Sequence, residues 1–120
     1  MNPLNSNALD ISRLCKIYNV KTLYAFGSVL TDKFHSGSDI DLIVEFQPLD
    51  VLDYADNYFD LKFSLEDILK RPIDLLEEKA IKNPYFRQNI NAQKQFIYGI
   101  EDIIKPRFYV IIHKSIAFFR

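Results

Sequence analysis

The chain has 120 residues, 48% of them hydrophobic and 26% charged, with a formal charge of −1, which describes one globular domain rather than a disordered segment. The near-zero charge offers no cationic field to gather nucleic acid, so a nucleic acid is not expected as the direct substrate. The single cysteine, Cys15, excludes an intrachain disulfide and fits a reducing cytoplasm.

Met1 to Ser6 contain no basic segment followed by an apolar run, so no signal peptide is expected. No apolar stretch reaches the roughly 18 residues of a membrane span. Leu9, Ile11, Leu14, Cys15 and Tyr18 then recur at roughly helical spacing, with Asn7 or Ser6 as N-cap and Asn19 at the end. Thr22 to Phe26 reads as a short buried strand, broken by Gly27-Ser28. Val29 to Lys33 suits a short helix, and Phe34 to Ser38 a loop. From Asp39 to Phe46 the pattern alternates: Ile40, Leu42, Val44 and Phe46 on one side, Asp39, Asp41, Ile43 and Glu45 on the other.

Pro48 ends that strand. The longest helix follows on Val51, Tyr54, Ala55, Tyr58, Leu61, Leu65, Ile68 and Leu69, with Asp53, Asp56, Asp60 and Asp67 on a solvated side. Arg71-Pro72 stops it, and Ile73 to Leu76 gives a third strand. Asn83-Pro84 opens a last helix expected to run to about Ile97, with Tyr98-Gly99 ending it. Helices thus alternate with three strands. The first two strands lie too close for a long crossover, so the expected fold is α/β (α+β) with a small mixed sheet flanked by helices. Residues 1–100 are expected to form this domain and 101–120 an apolar C-terminal extension. The run Phe108 to Ile112 suits burial, so the extension is expected to be covered by its own domain or a second chain. The alternative is a disordered tail foreign to the fold.

The chemistry concentrates in Phe26-Gly27-Ser28, ten residues, then Asp39-Ile40-Asp41. Gly27 permits a tight turn and close backbone approach to a ligand. Ser28 brings a hydroxyl to a helix start, where exposed N–H groups favour phosphate. Asp39 and Asp41, two apart on a strand, project from one face roughly 6.5 Å apart and suit hard cations such as Mg²⁺. Two such ions would stabilise the attacking and leaving oxygens of an in-line displacement. Asp74 sits in the apolar stretch Pro72-Ile73-Asp74-Leu75-Leu76, where burial requires a cationic partner. Beside the second strand it would join the same site and accept the proton of an attacking hydroxyl.

These residues resemble the nucleotidyltransferase superfamily of DNA polymerase beta, whose signature is Gly-Ser, a spacer, Asp-x-Asp and a third Asp on a later strand. The resemblance is nearest to its small prokaryotic branch, the minimal nucleotidyltransferases (MntA-like antitoxins). It runs from about Leu9 to Gly99 and includes "LYAFGSVL", "SDIDLIVEF", "RPIDLLEEKAIKNPYF" and "FIYG". It implies the nucleotidyltransferase fold, ATP with Mg²⁺, metal ligands at Asp39, Asp41 and Asp74, and triphosphate contact at Gly27 and Ser28. It also implies a HEPN-type toxin partner silenced by transfer of AMP onto a tyrosine. The alternative is a non-catalytic antitoxin that neutralises its partner by complex formation.

Relatives carry basic residues soon after Gly-Ser; here Lys33 and His35 are the cationic candidates. His35 and His113 read as ordinary loop and tail residues, and Cys15 as a small core residue. Lys79, Lys82, Arg87 and Lys94 read as a solvated face, with Arg87 the best candidate for phosphate contact. Tyr54, Tyr58, Phe59 and Phe63 read as core.

Overall fold

The computed structural model describes residues 2–100. They form helices α1 (Pro3–Ser6), α2 (Ala8–Ile17), α3 (Val51–Leu69) and α4 (Pro84–Gln93), and strands β1 (Val20–Phe26), β2 (Ile40–Phe46), β3 (Ile73–Glu77) and β4 (Gln95–Gly99). The strands make one sheet in the order β3-β2-β1-β4. β1 runs antiparallel to both neighbours, and β2 and β3 are parallel. The expected mixed sheet is therefore observed, and α3 supplies the crossover that a parallel pair requires.

Alternation puts Leu23 and Ala25 of β1, Ile40, Leu42 and Val44 of β2, and Ile73 and Leu75 of β3 on one face. There they form the main core with Ile11 and Cys15 of α2 and Leu61, Leu65 and Leu69 of α3. The helical residues recur every four positions, so each helix presents one stripe to the sheet. Complete burial of a side chain such as Leu23, Leu42 or Leu61 contributes roughly 1.5–3 kcal/mol. Asp53, Asp56, Asp60 and Asp67 are exposed, as their spacing predicts. α4 lies over the opposite face: Phe86 meets Phe26 edge-on, and Lys94 stands over Tyr24. No described helix is long and apolar enough to cross a membrane.

Four expectations change. The last helix stops at Gln93 rather than Ile97, and Gln95–Gly99 is a fourth strand. Leu23 pairs with Tyr98 and Thr22 with Gly99. No proline or glycine marks the break in the sequence. What ends the helix is the free edge of β1, whose N–H and C=O groups require partners. The short helix expected over Val29 to Lys33 is a 3₁₀ turn spanning Gly27–Leu30. Asp39 lies just ahead of β2 rather than within it. Tyr58 packs against the core, but Phe59 and Phe63 are exposed and stack on each other at 5.9 Å. The extension 101–120, with His113, lies outside the described residues.

Candidate active site

Asp41 and Asp74 are register partners in the parallel β2–β3 pair, about 4.8 Å apart at the backbone. Their side chains leave the sheet on the face away from the main core. On the other side of Asp41, its antiparallel partner is Phe26, the residue before Gly27. One row across three strands thus carries Phe26, Asp41 and Asp74, and the turn after β1 rises beside it.

Gly27 adopts φ +78, and a Cβ there would stand 2.5 Å from Asp41 Oδ2. Both the left-handed backbone and the closeness of the carboxylate require glycine. Ser28 follows in the 3₁₀ turn, and its carbonyl accepts from the Thr31 N–H at 3.0 Å and Thr31 Oγ1 at 2.9 Å. No side chain caps the N-terminus of this turn.

Asp39 is exposed at the end of a loop secured by Arg71. The Arg71 Nη1 donates to the His35 carbonyl at 2.7 Å and the Ser38 carbonyl at 3.3 Å. The guanidinium also lies 4.3 Å over the Phe34 ring. Within the loop, His35 Nδ1 accepts from the Gly37 N–H at 3.1 Å, the role of a structural loop residue. The sequence marks Arg71 only as part of a helix stop, because its partners here are main-chain carbonyls, which carry no residue-type signal.

Burial holds the Asp41 carboxyl above the usual carboxylate range, and the negative charges of Asp74 and Asp39 raise it further. Asp41 therefore feels both neighbouring carboxylates. Among the described residues none of the three forms an ion pair. Asp74 is exposed, not buried as its apolar neighbours suggested. Ile73 and Leu75 turn to the buried face of β3 while Asp74 turns to the opposite, uncovered face, so the burial argument for a cationic partner does not apply. What unites Asp74 with the site is its register.

Among the described residues no three acidic, histidine or cysteine side chains gather into a ready metal shell. Repulsion between like charges spreads such groups, and Asp39 sits on a loop. The chemistry of the donors nonetheless fits a hard divalent cation: they are carboxylate oxygens that, among the described residues, form no ion pair.

Among the described residues none of the cationic candidates forms an ion pair with the three aspartates. Arg87 pairs with the Glu78 carboxylate and donates to the carbonyls of Glu78 at 2.9 Å and Ile81 at 3.2 Å, so it braces the segment before α4. Lys79 stands over Tyr54 at 4.4 Å, and Lys33 and Lys82 are exposed. A cavity of about 270 Å³ lies at the other end of β2, lined by Phe46, Pro48, Leu49, Tyr54, Glu77 and Lys79 among others. It contains none of the three aspartates.

Residues 10–103 match the family model of the polymerase beta nucleotidyltransferases. A Methanocaldococcus jannaschii protein named "Putative protein adenylyltransferase" is 38% identical over 81 residues, 68% of this chain and 78% of that protein. A solved structure named "putative minimal nucleotidyltransferase" superposes with a TM-score of 0.65 at 25% identity, covering 79% of this chain and 95% of that one. A chain from the complex of a tri-AMPylated Shewanella oneidensis HEPN toxin with an MNT antitoxin shares the fold, with a TM-score of 0.55 at 19% identity, covering 94% of this chain and 88% of that one.

Proposed function

The chain belongs to the polymerase beta nucleotidyltransferase family, and from that premise we propose that it transfers AMP from ATP to a hydroxyl group of a partner protein. The observation that carries this reading is the row Phe26–Asp41–Asp74 with the Gly27 turn against the Asp41 carboxylate. Support for AMP and a protein acceptor comes from the relative named a protein adenylyltransferase. The AMPylated toxin in the fold neighbour supports a HEPN-type toxin as partner. The reading sets the reaction in the cytoplasm, where Cys15 stays a thiol.

Asp39, Asp41 and Asp74 are the residues that would hold Mg²⁺, two ions in the fullest form of the site. When bound, the metal supplies neutralising charge for the transferring and leaving oxygens. The remaining work falls to the chain. The Gly27-Ser28 turn brings bare backbone N–H groups to the triphosphate, as glycine at this position allows. The acceptor oxygen forms a bond to the α-phosphorus, the bond to the bridging oxygen breaks, and pyrophosphate departs. The hydroxyl proton passes to Asp74, whose exposed carboxylate is open to an incoming acceptor.

The deciding experiment incubates the protein with ATP, Mg²⁺ or Mn²⁺ and a HEPN-type partner, then reads the partner's intact mass. A gain of one AMP supports the proposal; a gain of one phosphate points to kinase-like chemistry and rejects it. One observation favours the second reading, a non-catalytic binding module. Leu52, Phe59 and Phe63 lie exposed on α3, a face suited to a partner. Stable complex formation with an unchanged partner mass would support that alternative.

A further inference from the structure

We propose that Phe86, braced by Phe26, is the platform on which the nucleobase stacks; this rests on reading the site as nucleotide-binding. Phe26 leaves the sheet on the same face as Asp41, its register partner. The Phe86 ring meets the Phe26 ring at 6.1 Å and 73°. These two contacts together place the Phe86 ring beside the row that carries Asp41. In a nucleotide the ribose carries the base several ångströms away from the α-phosphate, so a base can rest on a ring beside this row while the α-phosphate sits at the carboxylates. With the α-phosphate at the carboxylates and the triphosphate along the Gly27 turn, the base arrives at Phe86.

The ring is held and yet open. Asn83 Oδ1 accepts from the N–H groups of Tyr85 at 2.9 Å and Phe86 at 3.1 Å. Arg87 ties the next residue to Glu78 and Ile81, and Ile90 is buried one turn on. Phe86 nevertheless stays 39% exposed, and an edge-to-face contact cannot cover both faces of a ring. A fixed, half-exposed aromatic beside a phosphate turn is what a base needs in order to stack. Stacking reads no base edge, so such a platform discriminates weakly between ATP and GTP.

The chain contains no tryptophan, so Phe86→Trp in the full-length protein introduces a single reporter. ATP with Mg²⁺ should quench its emission, and inorganic tripolyphosphate should not. Phe86→Ala and Phe86→Leu should each weaken ATP binding about tenfold or more and leave tripolyphosphate affinity unchanged, while Phe86→Tyr should bind like the wild type. Leucine keeps apolar bulk over Phe26, so a loss in that variant reports stacking rather than packing. Unchanged ATP affinity in a folded Phe86→Leu, or an equal loss for tripolyphosphate, overturns the platform and leaves the nucleotide site standing. A wild-type protein that binds neither ligand by calorimetry overturns the nucleotide reading itself, and the platform with it.

Discussion

Asp41 and Asp74 occupy equivalent positions on neighbouring parallel strands, so two carboxylates more than thirty residues apart in the chain stand side by side. Neither has a cationic partner among the described residues. Asp41→Asn and Asp74→Asn should each reduce AMP transfer by at least about 100-fold, the scale for losing one preorganised electrostatic group. Circular dichroism should stay native. Near-normal transfer by Asp41→Asn, read as labelled AMP on the acceptor, would remove the carboxylate cluster from the mechanism.

The same pair sets a pH-dependent stability. The Asp41 pKa lies above its ordinary value of 3.8, so the group favours folding below that pH, and this contribution is lost as pH rises through the raised value. Without metal, Asp41→Asn should therefore melt slightly above the wild type at neutral pH, and the gap should close in acid. The effect is small because Asp41 is only partly buried and solvent screens the repulsion. Added Mg²⁺ should raise the melting temperature of the wild type and not of the variant. Calorimetric scans across pH, with and without Mg²⁺, check both halves.

Gly27→Ala meets two penalties. The positive φ costs an L-residue about 1–2 kcal/mol, and the new methyl would press on Asp41 Oδ2 at 2.5 Å. Stability measured by urea unfolding should fall by about that amount. Transfer should fall much further, because the carboxylate must move. A variant with native activity would show that the turn tolerates a side chain and need not approach the ligand.

Arg71→Ala removes the clasp on the loop before Asp39. Amides of residues 34–38 should exchange faster with solvent, while those of β1 and β2 keep their protection. Transfer should drop by a smaller factor than in Asp41→Asn, since Asp39 is loosened rather than lost. Unaltered exchange in that loop would mean that the clasp is dispensable.

Cys15 gives a readout of global opening. Burial pushes its thiol up to about 12 from an ordinary 9.0, so at neutral pH it is a buried thiol and a poor nucleophile. Its labelling by a thiol reagent should track unfolding and rise with urea. Because the folded pKa is raised, this group's contribution to stability is present below pH 9.0 and lost as pH climbs toward the raised value. Rapid labelling of the folded protein would contradict the burial of α2 against the sheet.

Much of this arrangement was legible in the residues. The alternation of Ile40, Leu42 and Val44 announces β2, and the four-residue repeat of Leu61, Leu65 and Leu69 announces the packed side of α3, because each period maps directly onto one buried face. Gly27, Asp41 and Asp74 were legible as residue types with a task. What remained hidden depended on neighbours distant in the chain. Gln95 to Ile97 reads as the end of a helix until the unpaired edge of β1 is known. Asp74 looks buried until the face of β3 opposite Ile73 and Leu75 is known to be uncovered. Arg71 acts through carbonyls, and the exposed ring of Phe86 owes its place to a partner at Phe26.

The sheet order has a consequence for how the molecule comes together. β1 and β2 are close in the chain and pair early, and β3 docks once α3 has formed its crossover. β4 must close a loop spanning most of the domain before Thr22 meets Gly99, and long closures delay the contacts that reward them. The carboxylate row therefore assembles before the edge beside it is sealed. During synthesis, the flank of β1 waits open until β4 emerges, and over that interval its exposed ladder can recruit a strand from another nascent copy. Placing the sealing strand after the rest of the sheet ties the solubility of the newborn chain to the delay between the emergence of β1 and that of residues 95–99.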